Sequence, residues 1–280
     1  MKIGYYLFKL FPKKLFSYLF GKLMHIELPR FLHMPLLKTF VWAYKIDSQE
    51  AEAPLSHYKS LGAFFVRELK DKSRPLGASP FSPVDGVLRD LGIISQGQLP
   101  QIKGESYSVE KLLQDSNSAR RFEEGLFFNF YLSPRDYHHV HYPQSGAVVS
   151  SRYIPGHLWP VNRWSLKNVE GVFAQNERVV TYLETEFGLI AVVMVAAFNV
   201  GRISVSYDTF ETNQIFQFRS PKGFSAVYNP PKEVRAGERL GTFHLGSSVV
   251  ILIEASSSLC KREFGIQAPA NVFYGQSLFS

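Results

Sequence analysis

The chain has 280 residues, 45% of them hydrophobic and 20% charged, and its 31 Lys and Arg against 24 Asp and Glu give a formal net charge of +7. This composition excludes a largely disordered or fibrous protein, and the length allows one large domain or two modest ones. The one cysteine, Cys260, excludes an internal disulfide, favours a reducing compartment and predicts a structural role for that residue.

The N-terminal region mixes lysines with large apolar side chains. A helix that begins after Pro12 and covers residues 13–24 gathers its apolar side chains into one arc, which consists of Leu15, Phe16, Leu19, Phe20 and Leu23. The opposite side carries Lys14, Ser17, Tyr18, Gly21 and Lys22. Such a helix is typical of a segment that lies in a membrane interface among anionic headgroups. The alternative is a helix that packs on its own domain.

The sequence predicts neither a signal peptide nor a membrane-spanning helix. Lysines interrupt any apolar core of a signal peptide in the N-terminal region. The longest nearly apolar run, Phe187 to Phe198, is shorter than the roughly 18 residues that a span requires. Its many valines predict a buried strand or strand pair instead.

The remaining sequence changes character at Phe81. Residues 56–75 predict one more helix, and residues 108–125 predict a helix inside the following region. From Phe81 onward, short apolar runs alternate with Gly, Pro, Asn and Ser, which predicts six or more strands. We therefore expect an α+β protein, in which amphipathic helices in residues 1–60 associate with a membrane and residues 61–280 form a β-rich, sandwich-like or barrel-like domain.

Three histidines stand close together within residues 131–146, which read YLSPRDYHHVHYPQSG. Imidazoles at His138, His139 and His141 predict either metal ligation or acid–base chemistry. No cysteine accompanies them, and no carboxylate obviously completes a metal site. A purely structural role for the cluster also stays open, and for His139 alone it is the favoured interpretation.

Two further segments supply a possible nucleophile and a carboxylate. Asp85 precedes a glycine at the entrance of a predicted strand, which by itself is only a turn signal. A second apolar strand, residues 249–253, follows Gly246 and Ser247 closely. Together with His141, these residues provide the parts of an Asp–His–Ser relay. A serine hydrolase could use the same parts, although no Gly-x-Ser-x-Gly elbow surrounds the serine.

The segment FHLGSSVV, residues 243–250, resembles the self-cleavage motif of the phosphatidylserine decarboxylases, which usually reads Leu-Gly-Ser-Thr. The resemblance extends from about Phe64 to the C-terminus, with motifs in family order that include FFVREL, SPVDGVL, YLSPRDYHHVHYP, PGHLWPVN and FAQNERVV. Ser248 replaces the usual threonine, and His139 stands where arginine is common. The segment SLGAFF replaces the more polar Asn-Glu that usually leads into the two phenylalanines of the first motif.

The resemblance implies that the chain cleaves its own Gly246–Ser247 bond with help from Asp85 and His141. Cleavage would yield subunits 1–246 and 247–280, and Ser247 would become a covalent pyruvoyl group. That group would form a Schiff base with phosphatidylserine, and loss of CO₂ would lead to phosphatidylethanolamine. His138 is the candidate that returns a proton to the α-carbon.

The same resemblance implies the partners of the protein. They are phosphatidylserine in an anionic membrane and the two cleaved subunits themselves, in a homodimer of two-chain protomers. We expect no metal, no added cofactor and no nucleic acid. The expected location is peripheral, on the cytoplasmic face of a cell membrane, most simply a bacterial inner membrane. A lipid-binding module without enzymatic activity is the non-enzymatic alternative, but it would leave the histidine cluster unexplained.

Overall fold

The computed structural model describes residues 12–100, 106–198, 202–213, 222–244 and 247–280, without the side chains of Arg163 and Ser247. Gly246, one side of the predicted cleavage bond, lies outside the described residues. The first elements in the described part of the chain are helices α1 (Lys13–Met24) and α2 (Arg30–Tyr44), and each begins directly after a proline. Proline is favoured there because the amide at a helix start has no intrahelical partner.

Helix α1 packs on the protein through a mixed face, which contains Phe20 and Met24 as well as polar side chains. Lys13 and Ser17 are buried, and the Lys13 ammonium lies 4.5 Å from the centre of the Trp159 ring. Leu15, Leu19 and Leu23 are instead 46%, 56% and 59% exposed. The helix therefore packs on its own domain, yet much of its apolar arc faces outward. Among the described residues, no helix combines the length and the apolar character needed to cross a membrane.

The centre of the fold is an eight-stranded sheet in which every neighbouring pair is antiparallel. In spatial order its strands are β10 (Phe224–Val234), β6 (Gly146–Ile154), β7 (Arg178–Thr185), β8 (Gly188–Val195), β12 (Ser247–Ile253), β4 (Leu126–Leu132), β1 (Gly86–Ile93) and β13 (Ala270–Val272). The expected α+β class, with N-terminal helices before a β-rich domain, is confirmed.

Smaller elements complete the domain. Strands β5 (His139–His141), β11 (Arg239–Phe243) and β9 (Ile203–Val205) form a second sheet in that order, and β2 (Gln98–Pro100) pairs with β3 (Ser106–Ser108). The short helices are α3 (Leu61–Phe65), α4 (Val109–Leu113), α5 (Ser116–Phe122), α6 (Arg163–Asn168) and α7 (Val172–Gln175). Within the described ranges, 3₁₀ turns cover Leu55–His57 and Ser258–Lys261.

The two helix predictions within the body had different outcomes. The helix predicted over residues 108–125 is confirmed as α4 and α5, which are separated at Gln114 by a positive φ of 48°. The helix predicted over residues 56–75 is wrong beyond α3. Its later backbone groups pair with another segment, since Glu52 N–H donates to Glu68 O and Lys70 N–H donates to Glu50 O. Those amide and carbonyl groups are then not available for helical hydrogen bonds.

The two most apolar runs form adjacent central strands. The run from Phe187 to Phe198 forms β8, whose residues from Leu189 to Val195 are buried. Strand β12 lies between β8 and β4, and its residues Val249 to Ile253 are buried as well. The predicted buried strand is confirmed. Ser247, the first residue of β12, is thereby placed opposite Leu132, the last residue of β4.

Candidate active site

The site lies at the end of the large sheet where strands β1 and β12 begin and β4 finishes; this end is called the sheet edge below. Strand β1 starts immediately after Asp85, β12 starts at Ser247, and both are neighbours of β4. Adjacent strands are about 4.8 Å apart, so the strand entrances that follow Asp85 and Gly246 are separated by roughly 10 Å. The backbone N–H of His141 donates to Pro83 O at 2.9 Å, which brings β5 to the same edge.

Gly86 allows the close approach of β1 to β4 at this edge. Its φ is +154°, and a Cβ atom built at this position would lie 2.3 Å from the Tyr131 carbonyl oxygen. No side chain fits there without movement of the backbone. The Asp-Gly pair is therefore more than a turn signal, because the glycine lets the Asp85 backbone lie beside the end of β4.

The Asp85 carboxylate is buried and fully engaged. Arg74 donates to it through Nη2, 2.7 Å from Oδ2, and the Tyr274 backbone N–H donates to Oδ1 at 2.8 Å. The same guanidinium also pairs with Glu50. Burial raises the pKa of Asp85, and the hydrogen bonds from Arg74 partly offset that effect. Arg74 therefore favours the charged form of a carboxyl group that burial alone would neutralise.

His141 has the arrangement of a neutral base. Its Nδ1 lies 2.8 Å from Gly237 O, so Nδ1 carries the proton and Nε2 accepts a hydrogen bond from the Tyr137 hydroxyl at 3.2 Å. The ring stacks on that of Tyr274, with centroids 3.9 Å apart. Burial lowers the pKa of His141 to about 4. The imidazole is consequently uncharged at neutral pH, with a lone pair on Nε2.

The structure does not form the hydrogen bond expected between Asp85 and His141. The carboxylate binds Arg74 and a backbone amide, and the imidazole Nδ1 donates to a carbonyl oxygen. Tyr274 contacts both side chains, through its N–H on one side and its ring on the other. In this structure the two side chains are instead connected indirectly, through Tyr274.

His138 is buried completely and uses one ring nitrogen. Its Nδ1 donates to Asp136 O at 2.8 Å, and its ring lies 4.0 Å from the Phe65 ring, centroid to centroid. Nε2 has no hydrogen-bond partner within the described parts of the chain. Burial lowers the pKa of His138 to about 3. A buried polar atom without a partner is uncommon in a folded protein, so Nε2 is available to a ligand.

His139 has partners at both ring nitrogens. Nδ1 lies 2.7 Å from the Thr242 hydroxyl oxygen, and Nε2 lies 3.1 Å from Val66 O. The ring thereby links β5 to β11 and to the segment after α3, which supports a structural role. As for metal ligation, the described residues contain no group of three His, Cys, Asp or Glu side chains placed to hold an ion.

An apolar cavity of about 590 Å³ lies between the N-terminal helices and this edge of the sheet. Its lining includes Phe20, Met24, Phe40, Phe65, Leu132 and Phe198. Two of these residues connect the cavity to the site, since Phe65 contacts His138 and Leu132 pairs with Ser247. The cavity can therefore place an apolar ligand beside the entrance of β12.

Sequence reasoning missed Arg74, Tyr274 and Gly237, which hold Asp85 and His141. Arg74 lay in a segment predicted to be helical, and Gly237 contributes only its carbonyl oxygen, which no sequence pattern reveals. Tyr274 follows β13, close to the C-terminus, without a motif of its own.

Comparison with known proteins identifies the family of the chain. The family model described as phosphatidylserine decarboxylase matches residues 61–280. A phosphatidylserine decarboxylase proenzyme of Myxococcus xanthus is 39% identical over 251 residues, 89% of this chain and 88% of the relative. The proenzyme of Brevibacillus brevis is 38% identical, over 86% of this chain and 86% of the relative. That of Acinetobacter baumannii is 39% identical, over 91% of this chain and 88% of the relative. The chain belongs to the phosphatidylserine decarboxylase family.

Proposed function

We propose that this decarboxylase converts phosphatidylserine to phosphatidylethanolamine and CO₂ with a pyruvoyl group that it makes from Ser247 by cleaving its own Gly246–Ser247 bond. The observation that carries the proposal is His138, which is fully buried with a ring nitrogen unpartnered among the described residues. It lies against Phe65, a lining residue of the apolar cavity beside the entrance of β12.

The residues around this entrance fit a small buried keto group. Ser248 is also fully buried, and its Oγ has no partner in the described structure, as is true of His138 Nε2. Ser248 adjoins residue 247, and its unpartnered Oγ can bind an oxygen of a ligand there. When formed there, the keto group supplies the electron sink for the electron pair that remains after CO₂ departs.

Maturation begins at Ser247. Its Oγ attacks the carbonyl carbon of Gly246 while His141 Nε2 takes the hydroxyl proton and then gives it to the departing amine, so that an ester replaces the amide. Removal of the Ser247 α-proton expels the Gly246 carboxylate and leaves dehydroalanine. Hydrolysis then releases ammonia and leaves the pyruvoyl group. Asp85 acts as a positioning residue, because it holds the Tyr274 segment whose ring covers His141.

Turnover requires one proton, because hydrogen replaces the carboxylate on the α-carbon. His138 delivers that proton from Nε2, while its Nδ1–H stays on Asp136 O. The lowered pKa, about 3, means that the ring is neutral before the proton arrives and holds it weakly afterwards. The apolar surroundings also favour loss of a carboxylate, which is solvated best by water.

The N-terminal helices deliver the lipid in this proposal. The outward side chains of α1 enter the acyl boundary, as do Phe31 and Trp42 of α2, which are 75% and 80% exposed. One acyl chain or the glycerol backbone then occupies the apolar cavity, whose walls come from the same helices. Peripheral membrane binding and a homodimer of two-chain protomers are parts of the proposal.

Intact-mass spectrometry under denaturing conditions tests the maturation step. The wild type should give two chains divided at Gly246, the second with a pyruvoyl mass, whereas Ser247→Ala should give one chain of 31.9 kDa. An active wild type that remains a single chain with an ordinary serine would refute the scheme. That result would favour a hydrolase-like use of Ser247 instead.

Replacement of His138 tests the assignment of the proton donor. His138→Ala should cleave itself normally but lose about 10²- to 10⁴-fold in decarboxylation rate, the usual contribution of a general acid. His57→Ala is the control, because it removes an exposed imidazole from the 3₁₀ turn Leu55–His57 and should not affect the reaction. Full activity of His138→Ala would exclude the assignment.

A further inference from the structure

Arg67 is a buried guanidinium that lacks a full set of partners. The residue is 4% exposed, and its Nη2 donates to the Arg135 carbonyl oxygen at 2.8 Å. Nε and Nη1 have no hydrogen-bond partner within the ranges that the structure describes. Burial of a guanidinium without an anion or sufficient acceptors is costly, and such groups are normally satisfied by a partner or a ligand.

The neighbouring arginines show the contrast. Arg74 binds the carboxylates of Asp85 and Glu50, and Arg135 Nε lies 3.5 Å from an Asp136 oxygen. Arg67 lines the same cavity of about 250 Å³ as these residues. The cavity therefore contains a buried cation whose Nε and Nη1 lack the carboxylate partners that Arg74 has.

The position of Arg67 connects this cavity to the reaction centre. Arg67 follows Phe65 by two residues, and the Phe65 ring contacts His138. The positive charge of Arg67 contributes to the lowered pKa of His138, after the larger effect of burial. Asp85 and Gly86, which adjoin the end of β4, also line the cavity. A small anionic headgroup held at Arg67 would thus lie beside the proposed proton donor.

We propose that Arg67 binds the phosphodiester oxygens of the phosphatidylserine headgroup, an inference that rests on the proposed function. A guanidinium donates several parallel N–H groups to a phosphate and suits it better than a single-point cation. The substrate carboxylate is the less suitable partner, because an ion pair would stabilise the group that must be lost. The phosphodiester keeps its charge from substrate to product.

Arg67→Gln tests the proposal, with Arg120→Gln as the control that removes the charge of an exposed and remote arginine. Both variants should cleave themselves normally. Arg67→Gln should raise the KM for phosphatidylserine about 10- to 100-fold, the usual effect of losing hydrogen bonds to a charged group, with kcat changed only a few-fold. Arg120→Gln should match the wild type in both constants.

Binding of short-chain phosphatidylethanolamine, measured by calorimetry, separates the phosphate from the carboxylate. This product has the phosphodiester but no carboxylate, so Arg67→Gln should weaken its binding by the same factor as the KM rises. Unchanged product binding with a raised KM would assign Arg67 to the carboxylate and overturn the proposal, as would no change in either value. If Arg67→Gln does not fold, Arg67→Lys should weaken both ligands several-fold, and an unchanged Arg67→Lys would overturn it equally.

This binding measurement requires no turnover. Failure of the wild type to decarboxylate phosphatidylserine would refute the proposed function. Unaltered product binding in the Arg67 variants would instead refute only the headgroup assignment.

Discussion

The outward leucines of α1 provide a quantitative test of membrane binding. We consider the triple variant Leu15→Gln, Leu19→Gln and Leu23→Gln, which keeps good helix formers at all three positions. Because these side chains are about half exposed, the changes should leave the folded domain largely intact. Any loss of vesicle binding can then be assigned to the removed apolar surface.

The magnitude follows from the exposed fractions, 46%, 56% and 59%. Complete burial of a leucine side chain contributes roughly 1.5 to 3 kcal/mol, so membrane insertion of about half of each contributes roughly 1 kcal/mol. The three together contribute about 3 kcal/mol, which corresponds to a change of about 10²-fold in the partition constant. Lysines at positions 14 and 22 remain and should retain weak, salt-sensitive binding to anionic lipid.

The assay is co-sedimentation with vesicles of phosphatidylcholine and phosphatidylglycerol, with Ser247→Ala as the background so that all chains stay intact. Ile93→Gln is the matched control, since Ile93 is 60% exposed on β1 and belongs to neither N-terminal helix. We expect about 10²-fold weaker binding for the triple variant and no change for the control. Equal binding by the triple variant and the parent would refute the orientation assigned to α1, and so would an equal loss in the control.

Three further predictions concern stability and assembly. Arg74→Met should lower the free energy of unfolding by about 3 to 5 kcal/mol, because Asp85 loses its buried counter-charge. The control Glu50→Gln should lower it by less than about 1 kcal/mol. Urea titrations of both variants measure these changes. Stability should fall as the pH drops from about 6.5 toward 4. The rings of His138, His139 and His141 are buried in the neutral form, and each should contribute a loss of about 2 kcal/mol at pH 5. The unfolded chain binds protons first, so an unfolding midpoint that is equal at pH 7 and pH 5 would contradict this. Finally, the cleaved chain 247–280 should co-elute with the rest of the protein in gel filtration and separate only in denaturant.

The spacing of apolar residues predicted the secondary-structure elements that depend on side-chain periodicity alone. The apolar run of β8 and the arc of α1 were visible because side-chain periodicity follows directly from backbone geometry. The positions of the side chains around the helix could not decide which side of α1 faces the protein, since that depends on Trp159 and other residues distant in sequence. The helix predicted over residues 56–75 was wrong for the same reason, because residues 50–52 provide its backbone partners.

The site was predicted as a set of residues but not as a set of contacts. The family motifs brought Asp85, His138 and His141 to attention, and the fold places them at one sheet edge. Their hydrogen bonds depend on Arg74, on the Gly237 carbonyl and on Tyr274, which come from three separate parts of the chain. Which acceptor a buried donor finds is decided by tertiary packing, and the motif sequence does not contain that information.

The position of β12 is compatible with the proposed cleavage, because the strand can stay in the sheet after the bond before it is broken. Cleavage before Ser247 removes one covalent bond at the entrance of a strand that pairs with β4 and β8 along its length. Five residues of that strand, Val249 to Ile253, are buried in the main core. Full burial of each contributes roughly 1.5 to 3 kcal/mol, so departure of the strand would cost on the order of 10 kcal/mol before its hydrogen bonds are counted. The terminus made by the proposed cleavage would therefore stay fixed at this end of the sheet, beside the histidines to which we assign the reaction.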